Sequence, residues 1–131
     1  MRKHIKNLLE RNSLIIAISI TLLVAYLSLK NLKIEMPIKI TYFDKILHIL
    51  AYFTLSTSWL FHFKKNQKSK YLILIFIFLY GVLLEFMQGW FNPNRTKDIY
   101  DMFANSIGII IAYLSFKSFL LVYKKIFVDY N

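Results

Sequence analysis

"YLILIFIFLYGVLLEFMQGW", residues 71–90, decides the fold, because it carries a single formal charge, Glu85, over its whole length. At about 1.5 Å of rise per residue, a helix of that length covers the ~30 Å hydrocarbon core of a bilayer. Three further runs have the same character: "SLIIAISITLLVAYLSL" (13–29), "ILHILAYFTLSTSWLFHF" (46–63, broken only by His48 and His62), and "MFANSIGIIIAYLSF" (102–116, continuing to about Tyr123 past Lys117). The expected fold is therefore all-α, an integral membrane bundle of four transmembrane helices at about 13–29, 44–63, 71–90 and 101–123. One domain is expected to span 1–131. Composition agrees: 57% of the 131 residues are hydrophobic and 18% aromatic, with three Gly and two Pro, and the mean hydropathy is +0.48. That is too apolar for a soluble domain. The basic head "MRKHIKNLLERN" before the first run resembles a signal peptide, but no small-x-small cleavage site follows, so a retained helix is expected. With no Cys, disulfides, thiolate chemistry and Cys-based metal sites are excluded.

The net charge of +10 is sorted by side rather than gathered into a basic stripe with interleaved aromatics, so no nucleic-acid partner is expected. Arg2, Lys3, Lys6 and Arg11 precede the first run; Lys64, Lys65, Lys68 and Lys70 join the second to the third; Lys117, Lys124 and Lys125 end the fourth. These eleven of the seventeen basic residues share one side of a four-helix topology. The positive-inside rule then places both termini in the cytoplasm of a multi-pass protein, with the bilayer as partner. Of the seven acids only Glu10 and Asp129 fall on that side. Glu35, Asp44, Glu85, Asp98 and Asp101 fall at or near the other.

Helical periodicity groups the outer polar residues. Asp44, His48 and Tyr52 repeat at i, i+4, i+8; Gly81, Glu85 and Gln88 share a face; so do Asp101, Asn105, Gly108 and Ala112, where the small pair permits close helix approach. Lipid cannot satisfy such stripes, so they are expected to converge between the second, third and fourth helices, roughly 6–8 Å below the outer helix ends.

The blocks "DKILHILAY" (44–52), "YGVLLEFMQGW" (80–90) and "NRTKDIYDMFANSIG" (94–108) together resemble the VanZ-like family of small bacterial membrane proteins, whose namesake is an accessory protein of glycopeptide (teicoplanin) resistance. The resemblance covers residues 44 to about 112. It implies a protein of the bacterial cytoplasmic membrane linked to the cell envelope and to antibiotic tolerance. Its motif positions on this chain are Asp44, Lys45, His48, Tyr52, Glu85, Gln88, Arg95, Asp98, Asp101, Asn105 and Gly108. It supplies no mechanism.

Structural roles compete at several of these positions. Asp98 or Asp101 is suited to cap the fourth helix. Lys45 is expected to snorkel to the interface, and Arg95 to be the cation for Glu85 and the aspartates. Tyr52 also suits packing and Trp90 the aromatic belt; "NPN" (92–94) is a turn; His4 and His62 receive no role. From Leu32 to Tyr42 apolar residues recur at even positions, as in an extended segment able to lie over the polar site as a lid or along the interface. Glu85 and His48 fit a structural role least, since Glu85 sits more than a turn inside.

Two function classes follow. The preferred one is a binding protein whose polar pocket, built from Asp44, Lys45, His48, Tyr52, Glu85, Gln88, Arg95, Asp98, Asp101 and Asn105, recognises an envelope lipid or glycopeptide-type ligand. The alternative is a membrane-embedded hydrolase or transferase acting on a lipid-linked substrate, with His48, Glu85 and Asp101 as the catalytic candidates in acid, base or metal-ligand roles. No HExxH or paired-His signature is present, so no metal or other cofactor is assigned. Proton translocation lacks a polar track toward the cytoplasmic half.

Overall fold

The computed structural model describes residues 1–30, 42–91 and 98–128. Among them the chain is all-α: α1 (Arg2–Arg11), α2 (Ser13–Leu29), α3 (Phe43–His62), α4 (Gln67–Phe91) and α5 (Ile99–Phe127). The segment read as a lid, 32–42, lies outside the described residues but for Tyr42, and so do Arg95 and the 92–94 turn.

Among the described residues two helices, α4 and α5, are long and apolar enough to cross a membrane, and α1 with α2 makes a third candidate if that pair, bent by 60°, forms one span. The four expected crossings are thus matched by length and composition in two helices, or three. α2 has only 17 residues by itself, and the apolar run of the 20-residue α3 is diluted by Asp44, Lys45, His48 and His62. α3 tolerates them because it lies against α2, α4 and α5, so much of its surface faces protein. The outer surface is apolar, with Leu22, Phe76, Phe86 and Leu114 more than half exposed, a surface compatible with lipid contact.

The basic head is more ordered than its charge implied. It forms α1, which turns into α2 at Asn12. Its end is tied down by Glu10, whose Oε1 accepts from Lys64 Nζ (2.8 Å) and from Tyr123 Oη (3.0 Å). Those bonds, the Lys64 one foremost, hold the Glu10 carboxyl below its ordinary value. Beside it, Ser13 Oγ lies 3.0 Å from Nδ1 of His62, a packing role for that histidine.

Polar side chains fasten α2 laterally: Trp59 Nε1 donates to Thr21 Oγ1 (3.0 Å), Tyr80 Oη to the Thr21 carbonyl (2.8 Å), and Gln88 Nε2 to the Ser28 carbonyl (2.9 Å). Ser28 lies near the C-terminal end of α2 and Gln88 near that of α4, whereas Ser13 and His62 pair the start of α2 with the end of α3. The chain therefore runs up and down, with the starts of α3 and α5 at the end where α2 and α4 finish.

α3 packs most extensively on α5. The seam closes at Gly108, where a Cβ would run into the Ile49 carbonyl oxygen and stand 3.0 Å from the Phe53 nitrogen. At Gly81 a Cβ would instead meet the Tyr52 ring, 3.0 Å from Cε1. Backbone yields less readily than a ring, so the two glycines differ. Gly108→Ala is expected to destabilise the protein by about 1–3 kcal/mol despite alanine's better helix propensity, and Gly81→Ala by less. Thermal unfolding of the two variants in detergent checks the order.

Candidate functional site

At the shared end of α3, α4 and α5 the helical registers bring charge together. Lys45 and His48 are three residues apart on α3 and Asp101 and Asn105 four apart on α5, so each pair occupies one face. The close approach at Gly108 sets those faces against each other. Lys45 Nζ donates to Asp44 Oδ2 (2.8 Å), to Asp98 Oδ2 (2.5 Å) and to Asp101 Oδ1. Behind it, His48 Nδ1 lies 2.9 Å from Asn105 Oδ1 and 4.0 Å from Glu85 Oε1, while Nε2 lies 3.6 Å from Asp101 Oδ2. The cluster grades inward: the Asp44 side chain is 55% exposed and that of Asp98 36%, whereas Glu85, Asp101 and Asn105 are buried.

The expected residues are distributed as follows. Lys45, His48, Glu85, Asp98, Asp101 and Asn105 meet, with Asp44 at the rim. Tyr52 lies deeper, buried against Gly81. Gln88 is buried but turned to α2. Lys45 does not snorkel: its side chain is 19% exposed, and among the described residues it is the cation to which Asp44, Asp98 and Asp101 turn. The available signal was its spacing, since a residue three before His48 shares the inward face. Asp98 also caps α5, accepting from the Tyr100 amide (2.9 Å). The Lys45 bond first, and then the Tyr100 bond, hold its carboxyl below the ordinary range. Asp101 makes no cap; it is buried and paired.

Among the described residues two trios offer one donor atom each within 4.8 Å of one another: His48, Glu85 and Asp101, and Asp44, Asp98 and Asp101. The second surrounds Lys45 Nζ. Apolar cavities lie elsewhere, about 280 Å³ lined by Ser13, Ile16, Phe53, Thr57 and Tyr123 among others, and about 370 Å³ lined by Thr21, Trp59, Ile77 and Tyr80 among others. Neither is lined by the charged cluster, whose groups contact one another directly.

Helices able to span a bilayer, around a buried cluster of acids, lysine and histidine, define a small helical membrane protein. The family model of VanZ/LLP1 matches residues 3–122, from α1 through most of α5, and the chain belongs to that family. Neither a search of curated proteins nor one of solved structures found a match.

Removing one partner of a buried ion pair costs about 3–5 kcal/mol, because the other charge is stranded away from water. Lys45→Met is expected to destabilise by that order, and adding Asp101→Leu to recover part of the loss. Chemical unfolding of the single and double variants in detergent measures the coupling.

Proposed function

We propose that this is a multi-pass protein of the bacterial cytoplasmic membrane, four helical segments crossing it with both termini cytoplasmic. In this reading it recognises a polar group of an envelope component or glycopeptide-type antibiotic at the outer ends of α3, α4 and α5. Binding there contributes to tolerance of envelope-directed antibiotics. The observation that carries the reading is the convergence of Lys45, His48, Glu85 and Asp101 from three helices at one end of the bundle. One lysine and one aspartate suffice to lock two helices. Four carboxylates and an imidazole exceed that need, and the rim pair Asp44 and Asp98 is where a ligand's cationic or hydroxyl groups would first meet the cluster. Family membership and span-capable helices support the membrane setting.

A second reading, a membrane-embedded hydrolase or transferase, is favoured by the orientation of His48. Asn105 fixes the ring while Asp101 stands 3.6 Å from Nε2, an arrangement suited to moving a proton. Glu85 and Asp101 are then the remaining acid or base.

Two measurements test these proposals. Since the chain has no native Cys, single cysteines report topology. Asn94→Cys is expected to react with an impermeant maleimide on intact cells, and Asn66→Cys only after lysis; the reverse pattern removes the outward-facing site. In a host lacking the gene, wild type is expected to restore glycopeptide tolerance, while Glu85→Gln and His48→Ala, matched for expression, are not. Full tolerance in both variants would sink the site. Variants that lose tolerance yet bind the antibiotic or lipid as wild type does favour the enzyme.

A further inference from the structure

The His48 ring stands between groups from two other helices: Nδ1 lies 2.9 Å from Asn105 Oδ1 and 4.0 Å from Glu85 Oε1, and Nε2 lies 3.6 Å from Asp101 Oδ2. The 3.6 Å gap is near the separation of about 3.4 Å between two ligands held tetrahedrally at about 2.1 Å from one ion.

Glu85 supplies a third donor within the same 4.8 Å limit. It and Asp101 are 4% and 3% exposed, so the set is not an acidic surface patch. The two oxygens of Asp101 divide their work, Oδ1 accepting from Lys45 and Oδ2 facing His48, the side on which the ion would sit.

We infer that His48, Glu85 and Asp101 form a site for one divalent first-row transition-metal ion, Zn²⁺ or Mn²⁺, with Asn105 as the positioning residue that orients the imidazole. The imidazole selects such an ion over Mg²⁺ or Ca²⁺, and the two carboxylates balance its charge. A ligating histidine is usually fixed by an oxygen acceptor at its other ring nitrogen, and the Asn105 side-chain oxygen takes that place here. The acidic trio around Lys45 holds the ammonium instead of an ion. This deepens the proposed binding site, on which it rests for location, by giving a ligand's oxygen donor an open coordination position to occupy.

The full-length protein in detergent, stripped with EDTA and re-equilibrated with Zn²⁺, Mn²⁺ or the spectroscopic substitute Co²⁺, tests it. Elemental analysis is expected to return about one ion per chain, and the Co²⁺ form to absorb in the visible. His48→Gln and Glu85→Gln are each expected to weaken binding at least about tenfold, Asn105→Leu by about 10–100-fold, and Tyr71→Phe, remote from the site, not at all. Wild type binding well under one ion, no visible Co²⁺ bands, or ion retained at full affinity in His48→Gln and Glu85→Gln overturns the inference. If those variants fail to fold, wild-type stoichiometry and the Co²⁺ spectrum still decide. Metal content is read without any antibiotic, so its failure and a failure of the recognition reading in the susceptibility assay are separate results.

Discussion

Lys45 is drawn down among carboxylates at the junction of α3 and α5, and the buried pair it makes with Asp101 constrains everything around it. A charge removed from water is tolerable only beside its opposite, with the remaining hydrogen-bonding capacity filled. Lys45 meets this through three carboxylates, and Asp101 through Lys45 on one oxygen with His48 near the other. Neither partner can reach the other unless the helices nearly touch. That distance is set at Gly108, where the Ile49 carbonyl leaves no room for a side chain. An electrostatic requirement at the helix ends and a steric one two turns below are thus the same requirement.

Elsewhere the bundle is joined by weaker but numerous bonds. In lipid the apolar faces gain little by meeting, so hydrogen bonds and close fit must specify which helices pair. Thr21 does this for α2, taking Trp59 of α3 on its hydroxyl and Tyr80 of α4 on its carbonyl. Gln88 repeats the device against Ser28. At the opposite end from Lys45, Glu10 joins α1 to Lys64 and to Tyr123 of α5. The bundle is therefore clamped by charge at both ends and by neutral polar contacts between.

The apolar segments were legible in the sequence because hydropathy over a span-length window hardly depends on tertiary structure. The helical character of α1 was not, since Arg2, Lys3 and Lys6 read as a topogenic charge cluster whether or not the backbone is helical. The faces bearing His48, Glu85, Asp101 and Asn105 followed from periodicity alone. The direction of Lys45 did not. A long cationic side chain near a helix end can snorkel or fold inward, and the choice depends on what stands opposite, which a one-dimensional pattern does not contain. Gln88 shows the same limit: its register put it beside Glu85, yet its amide reaches the free carbonyls at the end of α2.

The clamp itself argues that stability is not the whole reason for the cluster. Buried ion pairs are weak contributors, and apolar residues of similar volume often do as well or better. Were α3 and α5 only to be fastened, Lys45 and Asp101 would be enough, and each further carboxylate nearby adds repulsion and desolvation. The chain nevertheless places Glu85 from a third helix within 4.0 Å of His48, and spends Asn105 on holding that ring. Asp98 has a structural use as the cap of α5. Glu85 lies inside α4, away from the helix ends where a carboxylate is favoured, and its Oε1 stands 4.0 Å from His48 Nδ1. A buried carboxylate set beside a histidine that Asn105 also meets is the arrangement the proposed binding site would use, and more than fastening α3 to α5 requires.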